Sequence, residues 1–193
     1  VDAAERIREA DRLWGDRTIE TVREASRLYL GAADVAEDSI PPLVGAVTGL
    51  GMNAEELAQN PRLEARVVHD LNSQPELPFP VNSFDLAICS VSIEYLVQPV
   101  AVLRELGRVL KAGAVAVITF SDRWFPTKAI ELWTDLHPFE RMGLVLEYFR
   151  QAGNFTALQS ESLRGLPRPE NDKYAGQLAC SDPVFAVWGR ADT

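Results

Sequence analysis

The residue types that could bind or transform a small molecule lie mainly between residues 70 and 148. Asp70 follows one apolar run, Ser90 ends another, and aromatic and polar side chains crowd residues 121–128. In an α/β sheet, ligands bind outside the carboxyl ends of the strands, and aromatic walls with few polar groups suit a small organic compound. The spacing therefore predicts a small-molecule site, although the aromatic stretch could equally be an ordinary pair of core helices.

The sequence gives no support for a metal site or for a disulfide framework. His69 and His137 are far apart, with no cysteine or carboxylate at ligand spacing. The two cysteines, Cys89 and Cys180, are too few for a disulfide framework. Cys89 lies inside an apolar run, so we predict that it is a small buried hydrophobic residue.

Composition and charge restrict the class of protein further. With 193 residues, of which 47% are hydrophobic and 24% charged, the chain fits one globular domain over residues 1–193. A net charge of −9 without a Lys/Arg cluster argues against nucleic acid as the main partner. No apolar run could span a bilayer and no secretory segment opens the sequence, so we expect a cytoplasmic protein without membrane insertion. A leader before Val1 and the oligomeric state stay open.

Apolar runs alternate with helical periodicity along most of the chain, which favours an α/β fold with a parallel sheet covered on both faces. Strands are predicted at residues 28–33, 46–50, 65–69, 84–90, 115–120, 155–160 and 184–189. Helices are predicted at residues 39–44, 54–59, 99–110 and 138–152, after amino-terminal helices within residues 1–27. The α/β core therefore covers residues 28–193.

The helix at residues 99–110 has the clearest pattern. Pro99 suits its first turn, and its valines and leucines share one face. Glu105 and Arg108 lie on the other, polar side. Gly113 is placed to end the helix in a left-handed conformation.

Three motifs in close succession resemble a known family. They are Leu-Pro-Phe-Pro-Val-Asn-Ser-Phe-Asp at residues 77–85, Arg-Val-Leu-Lys-Ala-Gly at residues 108–113, and the apolar run at residues 115–120. In these motifs the chain resembles the class I S-adenosylmethionine-dependent methyltransferases of the ubiquinone/menaquinone-biosynthesis type (the methyltransferase type 11 domain). The resemblance covers roughly residues 28–190. It implies a Rossmann-like, doubly wound, mostly parallel sheet with helices on both faces and an antiparallel last strand.

The resemblance also implies where S-adenosylmethionine would bind as the cofactor. In the family, an acidic residue after an apolar strand accepts a hydrogen bond from the adenine amino group, and the next apolar residue packs on the ring. Asp70 and Leu71 match these positions, Asn72 follows them, and Ser90 stands at the end of the next strand. Asp70 could instead simply cap or turn the chain.

The ribose-binding position departs from the family pattern. The family has Gly-Val-Asp-x-Ser, in which the acid binds both ribose hydroxyls, whereas residues 49–53 read Gly-Leu-Gly-Met-Asn. Gly51 stands where the acid would be, Met52 follows it, and Asn53 is the nearest substitute. Asn53 also looks like a helix cap, with Glu56 completing a capping box.

The glycine-rich loop of the family is degenerate as well. The family has Gly-x-Gly-x-Gly, but Gly31 is the sole glycine in residues 28–36, and Ala33 and Val35 fall at the other two positions. A β-carbon at a position that needs positive φ costs about 1 kcal/mol or more. Alternatively, residues 19–35 form one long helix and the first strand is absent.

The resemblance predicts methyl transfer from S-adenosylmethionine to a small organic acceptor. The sulfonium supplies the driving force, so a base is needed only when the acceptor must lose a proton. Glu94, Tyr95 and His137 are the candidate bases, although His137 could be a loop residue. Residues 31–36 and Gly51 support an alternative, a catalytically inactive methyltransferase-like binding or interaction protein. A nicotinamide-dependent oxidoreductase is disfavoured because no Gly-x-Gly-x-x-Gly follows a first strand.

Overall fold

The computed structural model describes residues 46–168, 170, 174 and 176–192. The elements predicted for residues 1–44, with Gly31 among them, lie outside the described residues. The chain divides into two compact units, Val1–Asp70 and Leu71–Thr193. Each unit is described by itself, and the single domain over residues 1–193 stays a prediction.

The described part of the first unit is a parallel pair of strands with a helix between them in the chain. Its elements are β1 (Thr48–Gly51), α1 (Ala54–Gln59) and β2 (Ala65–Val68). The two strands pair in parallel along their whole length, and the N–H of His69 extends the pairing to the Gly51 carbonyl at 3.0 Å. All three elements lie within two residues of their predicted bounds.

The second unit contains a four-stranded sheet and several helices. Its strands are β3 (Phe84–Ser90), β4 (Leu110–Ser121), β5 (Phe155–Leu163) and β6 (Val184–Ala191). Its helices are α2 (Pro99–Val109), α3 (Glu131–Asp135), α4 (Pro138–Ala152) and a short 3-10 helix (Ile93–Tyr95). In the described part of the chain, no helix is long and apolar enough to cross a membrane.

The strand order of this sheet is β3-β4-β6-β5. β3 runs parallel to β4, whereas β6 runs antiparallel to both β4 and β5. The predicted α/β class and the antiparallel last strand are confirmed. The sheet of this unit is mixed, because the last strand is inserted between β4 and β5.

The core of the second unit is built around the two central strands. Residues 115–120 of β4 and 185–189 of β6 are all buried, and Leu103 of α2 and Phe149 of α4 pack in the same core. Phe149 meets Phe155 edge to face, with ring centroids 4.9 Å apart. Burial of each large side chain contributes about 1.5–3 kcal/mol, so this core fixes the ends of β3 and β4 firmly.

Gly113 has the predicted left-handed conformation, with φ of +75°, but not the predicted position. The helix α2 ends before Leu110, where β4 begins, so the glycine lies inside the strand rather than at a helix end. The pairing of β4 with β3 is irregular between Leu110 and Val115. Gly113 therefore serves a bulge, where a residue without a β-carbon adopts positive φ at little cost.

A bidentate ion pair on α2 holds the turn that precedes β3. Arg108 donates to the two carboxylate oxygens of Glu105 at 2.8 and 2.6 Å, and to the carbonyls of Phe79 and Leu77 at 3.0 and 2.9 Å. The Leu77 N–H donates to Glu105 Oε2 at 3.0 Å. We call these four residues the Glu105–Arg108 clip. The side of α2 that was predicted to be polar is therefore half-buried against this turn, and the motif residues act structurally here.

Candidate functional site

The carboxyl end of β3 is a polar rim with strained backbone. Val91 has φ of +48°, which is an outlier for a β-branched residue and costs on the order of 1–3 kcal/mol. Its N–H donates to the Thr119 carbonyl at 2.8 Å, and the Thr119 hydroxyl donates to Ser90 Oγ at 3.0 Å. The Ser92 hydroxyl donates to the Ser90 carbonyl at 2.9 Å. Strain of this kind clusters at ligand sites, which makes this rim the first candidate.

Asn72 supports the short helix that follows the rim. Its Nδ2 donates to the Tyr95 carbonyl at 2.9 Å, and its Oδ1 accepts the Val97 N–H at 2.9 Å. Leu71 beside it packs against the core of the unit. Because both ends of the Asn72 amide serve the fold, a contact of Asn72 or Leu71 with a cofactor stays a prediction.

Glu94, one of the three candidate bases, lies inside the protein. Its side chain is 1% exposed, and its Oε2 has no hydrogen-bond partner among the described residues. Burial raises the pKa of Glu94, while its own backbone N–H and Arg141 partly offset that rise. A carboxyl in this environment keeps its proton to a higher pH than an exposed glutamate does.

Arg141 of α4 is the positive group that acts on Glu94. It is 3% exposed, its Nε donates to the Trp133 carbonyl at 2.9 Å, and its guanidinium stacks 3.9 Å above the Trp124 ring centroid. The Trp133 ring centroid lies 5.6 Å away. The indole Nε1 atoms of both tryptophans are buried, and neither has a partner in the described part of the chain. We call Glu94, Trp124, Trp133 and Arg141 the Glu94–Arg141 cluster.

Burial and charge in and beside this cluster shift the pKa values of Arg141 and Cys89. Burial lowers the pKa of Arg141, and the carboxylates of Asp122 and Glu94 raise it; a guanidinium nevertheless stays charged at all ordinary pH. Burial, assisted by Glu94, raises the pKa of Cys89 to about 12. The Cys89 thiol is therefore neutral, and Cys89 packs half-buried against the core rather than fully buried as predicted.

The other two candidate bases have different surroundings. The Tyr95 hydroxyl accepts the Phe125 N–H at 3.1 Å, and the two rings lie 6.4 Å apart. His137 is exposed at the start of α4, where its N–H donates to Glu140 Oε2 at 2.7 Å. Of the three, Glu94 alone combines full burial with an unpartnered oxygen. Which of them acts in catalysis stays a prediction.

In the first unit, Asn53 caps α1. Its Oδ1 accepts the Glu55 N–H at 2.9 Å and the Glu56 N–H at 3.4 Å, and its Nδ2 donates to Glu56 Oε1 at 3.0 Å. The predicted capping role is therefore confirmed. Both polar atoms of the side chain serve the helix, which weakens Asn53 as a substitute for the ribose-binding acid.

The remaining predicted residues of the first unit lie at the carboxyl ends of its strands. Gly51 ends β1, Met52 after it is 70% exposed, and Asp70 follows β2 and is half-buried. A β-carbon on Gly51 would lie 3.7 Å from the nearest atom of Leu57, which is an ordinary contact. The backbone therefore leaves room for a side chain at the ribose position. Gly31 lies outside the described residues.

Arg141 was not predicted as a site residue, although the sequence contains a signal for it. Arg141 shares a helical stripe with Val145 and Phe149, both fully buried, at a spacing of four residues. A charged residue in an apolar stripe must find a partner inside the protein. Its partners could not be read from the sequence, because they come from the segments that follow β3 and β4.

The comparisons with known proteins agree with this architecture. Residues 34–118 match the family model described as a methyltransferase domain. An S-adenosylmethionine-dependent methyltransferase of Thermotoga maritima aligns with a TM-score of 0.52 at 18% identity, covering 74% of this chain and 72% of that one. The cyclase SpnF aligns with a TM-score of 0.55 at 20% identity, covering 84% and 71%. The chain has the Rossmann-like fold of class I S-adenosylmethionine-dependent methyltransferases, and the predicted resemblance is confirmed.

A curated relative narrows the similarity within this class. The chain is similar to the ubiquinone/menaquinone biosynthesis C-methyltransferase UbiE of Paraburkholderia xenovorans, with 32% identity over 111 residues. The match covers 56% of this chain and 44% of the relative. The chain therefore spans less than half of the relative's length. SpnF is named as a cyclase, so the fold alone does not fix the reaction.

The first unit carries part of what the resemblance implies for an adenosyl group. Asp70 follows β2 and has a carboxylate, an acceptor of the kind that an adenine amino group needs. At the ribose position, however, Gly51 provides no carboxylate and the side chain of Asn53 is occupied. The described residues of this unit therefore do not supply the two ribose acceptors that the resemblance implies.

Proposed function

We propose that this protein binds S-adenosylmethionine and transfers its methyl group to a small organic acceptor. The observation that carries the proposal is the rim at the end of β3, where strained Val91 stands between Ser90 and Ser92. The short helix that follows the rim holds the buried carboxyl of Glu94. The methyltransferase-domain match supports the proposal.

The bound cofactor supplies a methyl group on a sulfonium, which needs no activation by the protein. In this proposal the chain binds and orients the two reactants. Asp70 accepts a hydrogen bond from the adenine, Leu71 packs against it, and Ser90 contacts the cofactor. Residues 121–137 supply the acceptor wall. The protein works in the cytoplasm as a single domain, on a small molecule rather than on nucleic acid.

A quinone precursor is the first acceptor to assay. The ground for this choice is the similarity to UbiE, which is a ubiquinone/menaquinone biosynthesis C-methyltransferase. The assay measures S-adenosylhomocysteine formed with and without the precursor. A product that requires both the precursor and the protein supports this acceptor.

A second candidate is a catalytically inactive methyltransferase-like protein, which serves as a binding or interaction module and no longer takes up S-adenosylmethionine. The specific observations in its favour are the missing carboxylate at Gly51 and the occupied side chain of Asn53. Calorimetric titration with S-adenosylmethionine and S-adenosylhomocysteine separates the candidates. Absence of binding at millimolar ligand favours the second candidate.

The titration is most informative with Asp70→Ala and a matched control. We expect Asp70→Ala to weaken cofactor binding about tenfold, because it removes a charge-assisted hydrogen bond. Asp85→Ala is the control, since Asp85 is an exposed aspartate that pairs only with Lys111 among the described residues. Equal affinities for the two variants, with unchanged circular dichroism, would rule out the adenine contact.

Gly51→Asp tests the ribose position in the opposite direction. The backbone has room for a side chain at Gly51, and a carboxylate there can accept from two hydroxyls. We expect affinity for S-adenosylhomocysteine to rise about tenfold, whereas Gly51→Ala leaves it unchanged. A rise in both variants, or in neither, contradicts the placement of the ribose.

A further inference from the structure

The Glu94–Arg141 cluster contains three buried polar atoms without partners among the described residues. They are Glu94 Oε2 and the Nε1 atoms of Trp124 and Trp133. Both tryptophan rings lie around the guanidinium of Arg141. Glu94 is tied to the same segment, because its carbonyl accepts the Ile130 N–H at 3.0 Å and the Ile130 carbonyl accepts the Trp133 N–H at 3.0 Å. Most buried polar groups in folded proteins are paired, so three unpaired groups in one cluster require an explanation.

The chemistry of the unpaired atoms restricts what could satisfy them. An indole N–H only donates, whereas an ionised carboxylate oxygen only accepts. A ligand carboxylate would offer no donor to Glu94, and an ammonium would offer no acceptor to the indoles. A hydroxyl group both donates and accepts, and it can serve Glu94 whether that carboxyl is ionised or protonated.

The place of the cluster in the fold favours a ligand over a purely structural water. Glu94 follows the carboxyl end of β3, and Trp124 follows the carboxyl end of β4. These two strands are parallel neighbours, and ligands of open α/β sheets bind outside such strand ends. The Phe125 ring beside Trp124 is exposed and contacts Tyr95, so apolar surface adjoins the polar cluster.

We propose that the Glu94–Arg141 cluster binds the hydroxyl group of a hydroxyl-bearing organic compound. Glu94 and the two indole N–H groups hydrogen-bond the hydroxyl, and Arg141 positions Trp124 by stacking and Trp133 through its carbonyl. This assigns a class of compound to the acceptor side, and to that extent it rests on the proposed function. Binding of the hydroxyl itself needs no cofactor.

The test compares phenol with toluene, which has a similar shape but no hydroxyl. Indole N–H resonances are followed by NMR, and those of Trp124 and Trp133 are assigned with Trp124→Phe and Trp133→Phe. We expect phenol to shift both resonances and to bind about tenfold more tightly than toluene. Trp188, which lies in the core on β6, provides an internal control whose resonance stays in place.

Variants of Glu94 show whether the protein hydrogen-bonds the hydroxyl group of phenol or only binds its aromatic ring non-specifically. Glu94→Gln retains an acceptor and should keep the preference for phenol, whereas Glu94→Leu should lose it. Equal binding of phenol and toluene to the wild type overturns the proposal. Unshifted indole N–H resonances of Trp124 and Trp133 also overturn it, and a structural water would then be their partner. The titrations are run with and without S-adenosylhomocysteine. A phenol preference without any cofactor binding would defeat the proposed function and leave this inference intact.

Discussion

Two sites in the second unit, each built on a glutamate and an arginine, differ in how many of their polar atoms have partners. In the Glu105–Arg108 clip, the guanidinium binds both carboxylate oxygens and two carbonyls, and the carboxylate also accepts a backbone N–H. In the Glu94–Arg141 cluster, the carboxyl keeps an unpartnered oxygen and two indole N–H groups are unpaired as well. The clip receives its hydrogen bonds from within the chain. In the cluster, three polar atoms have no partner among the described residues.

The difference shows that the motifs which carry the resemblance make structural contacts in this fold. The clip joins the Leu-Pro-Phe turn to the Arg-Val-Leu-Lys motif, so these motifs are tied together by the fold. The Glu94–Arg141 cluster lies beyond the strand ends and has no motif of its own. A strong motif can therefore mark a structural contact, and the reactive groups can stand in the less regular segments beside it.

The largest effect that we predict is at Arg141. Arg141→Met keeps the stem but removes the guanidinium, so it leaves the buried Trp133 carbonyl without its donor and removes the cation from the face of the Trp124 ring. We expect the free energy of unfolding to fall by about 3 kcal/mol, because a buried hydrogen-bond network is broken. Urea denaturation measures this change.

Arg104→Met is the matched control for that experiment. Arg104 is also an arginine on a helix that donates to carbonyls, but it is exposed and its contacts to Ala152 and Gln151 are 3.4 and 3.3 Å long. Its replacement should cost about 0.5 kcal/mol or less. Similar losses for the two variants would show that the buried cluster is not special.

The second effect concerns the clip. Arg108→Ala leaves the Leu77 and Phe79 carbonyls and the Glu105 carboxylate without their donor, and we expect a loss of about 2 kcal/mol, since water reaches part of the site. Arg150→Ala breaks another i,i+3 pair, with Glu147, in which the arginine side chain is 72% exposed. That loss should be much smaller, because solvent screens an exposed pair. If Arg108→Ala and Arg150→Ala lowered the free energy of unfolding equally, the clip would contribute no more to stability than a surface ion pair, and its structural role would be contradicted.

The smallest effects are those on pH dependence, and the two glutamates should differ in sign. The pKa of Glu94 is raised above 4.5 chiefly by burial, so its contribution to stability is present below pH 4.5 and lost as pH rises through its raised pKa. The pKa of Glu105 is lowered below 4.5, first by its hydrogen bonds from Arg108, so its contribution is present above pH 4.5 and lost as pH falls.

Unfolding free energies measured from pH 3 to pH 8 on Glu94→Gln and Glu105→Gln test these signs (roughly the range in which carboxyl groups titrate). Relative to the wild type, Glu94→Gln should gain stability above pH 4.5. Glu105→Gln should instead show its difference shrinking as the pH falls below 4.5. If the difference from the wild type changed with pH in the same direction for both variants, the contrast between the cluster and the clip would be contradicted.

The regular elements could be predicted from the sequence because their patterns are local. The strands β3, β5 and β6 and the helices α1, α2 and α4 were expected close to their observed bounds, since apolar alternation and helical periodicity dictate them. The strand β4 was expected at residues 115–120 but begins five residues earlier, at Leu110. The helix α3 was missed because five residues carry no period. It is held instead by the burial of Trp133 against Phe120, with ring centroids 4.9 Å apart.

The candidate site could be predicted only in outline. Strand ends located Ser90, and the local capping pattern identified Asn53 correctly. The grouping of Glu94 with Arg141 and the two tryptophans depends on tertiary contacts between sequence-distant segments, which no spacing reveals. The prediction that Gly113 ends the helix was wrong for a related reason. Pairing with β3 starts β4 at Leu110, so Gly113 lies inside the strand.

The most direct test of the account is a crystal structure of the protein soaked with S-adenosylhomocysteine. The account predicts ligand density outside the carboxyl end of β3, with contacts to Ser90 and with Asp70 at the adenine amino group. A rim filled by the protein's own side chains, with no density at a ligand concentration that saturates related enzymes, would contradict the proposed methyl transfer and leave only the fold.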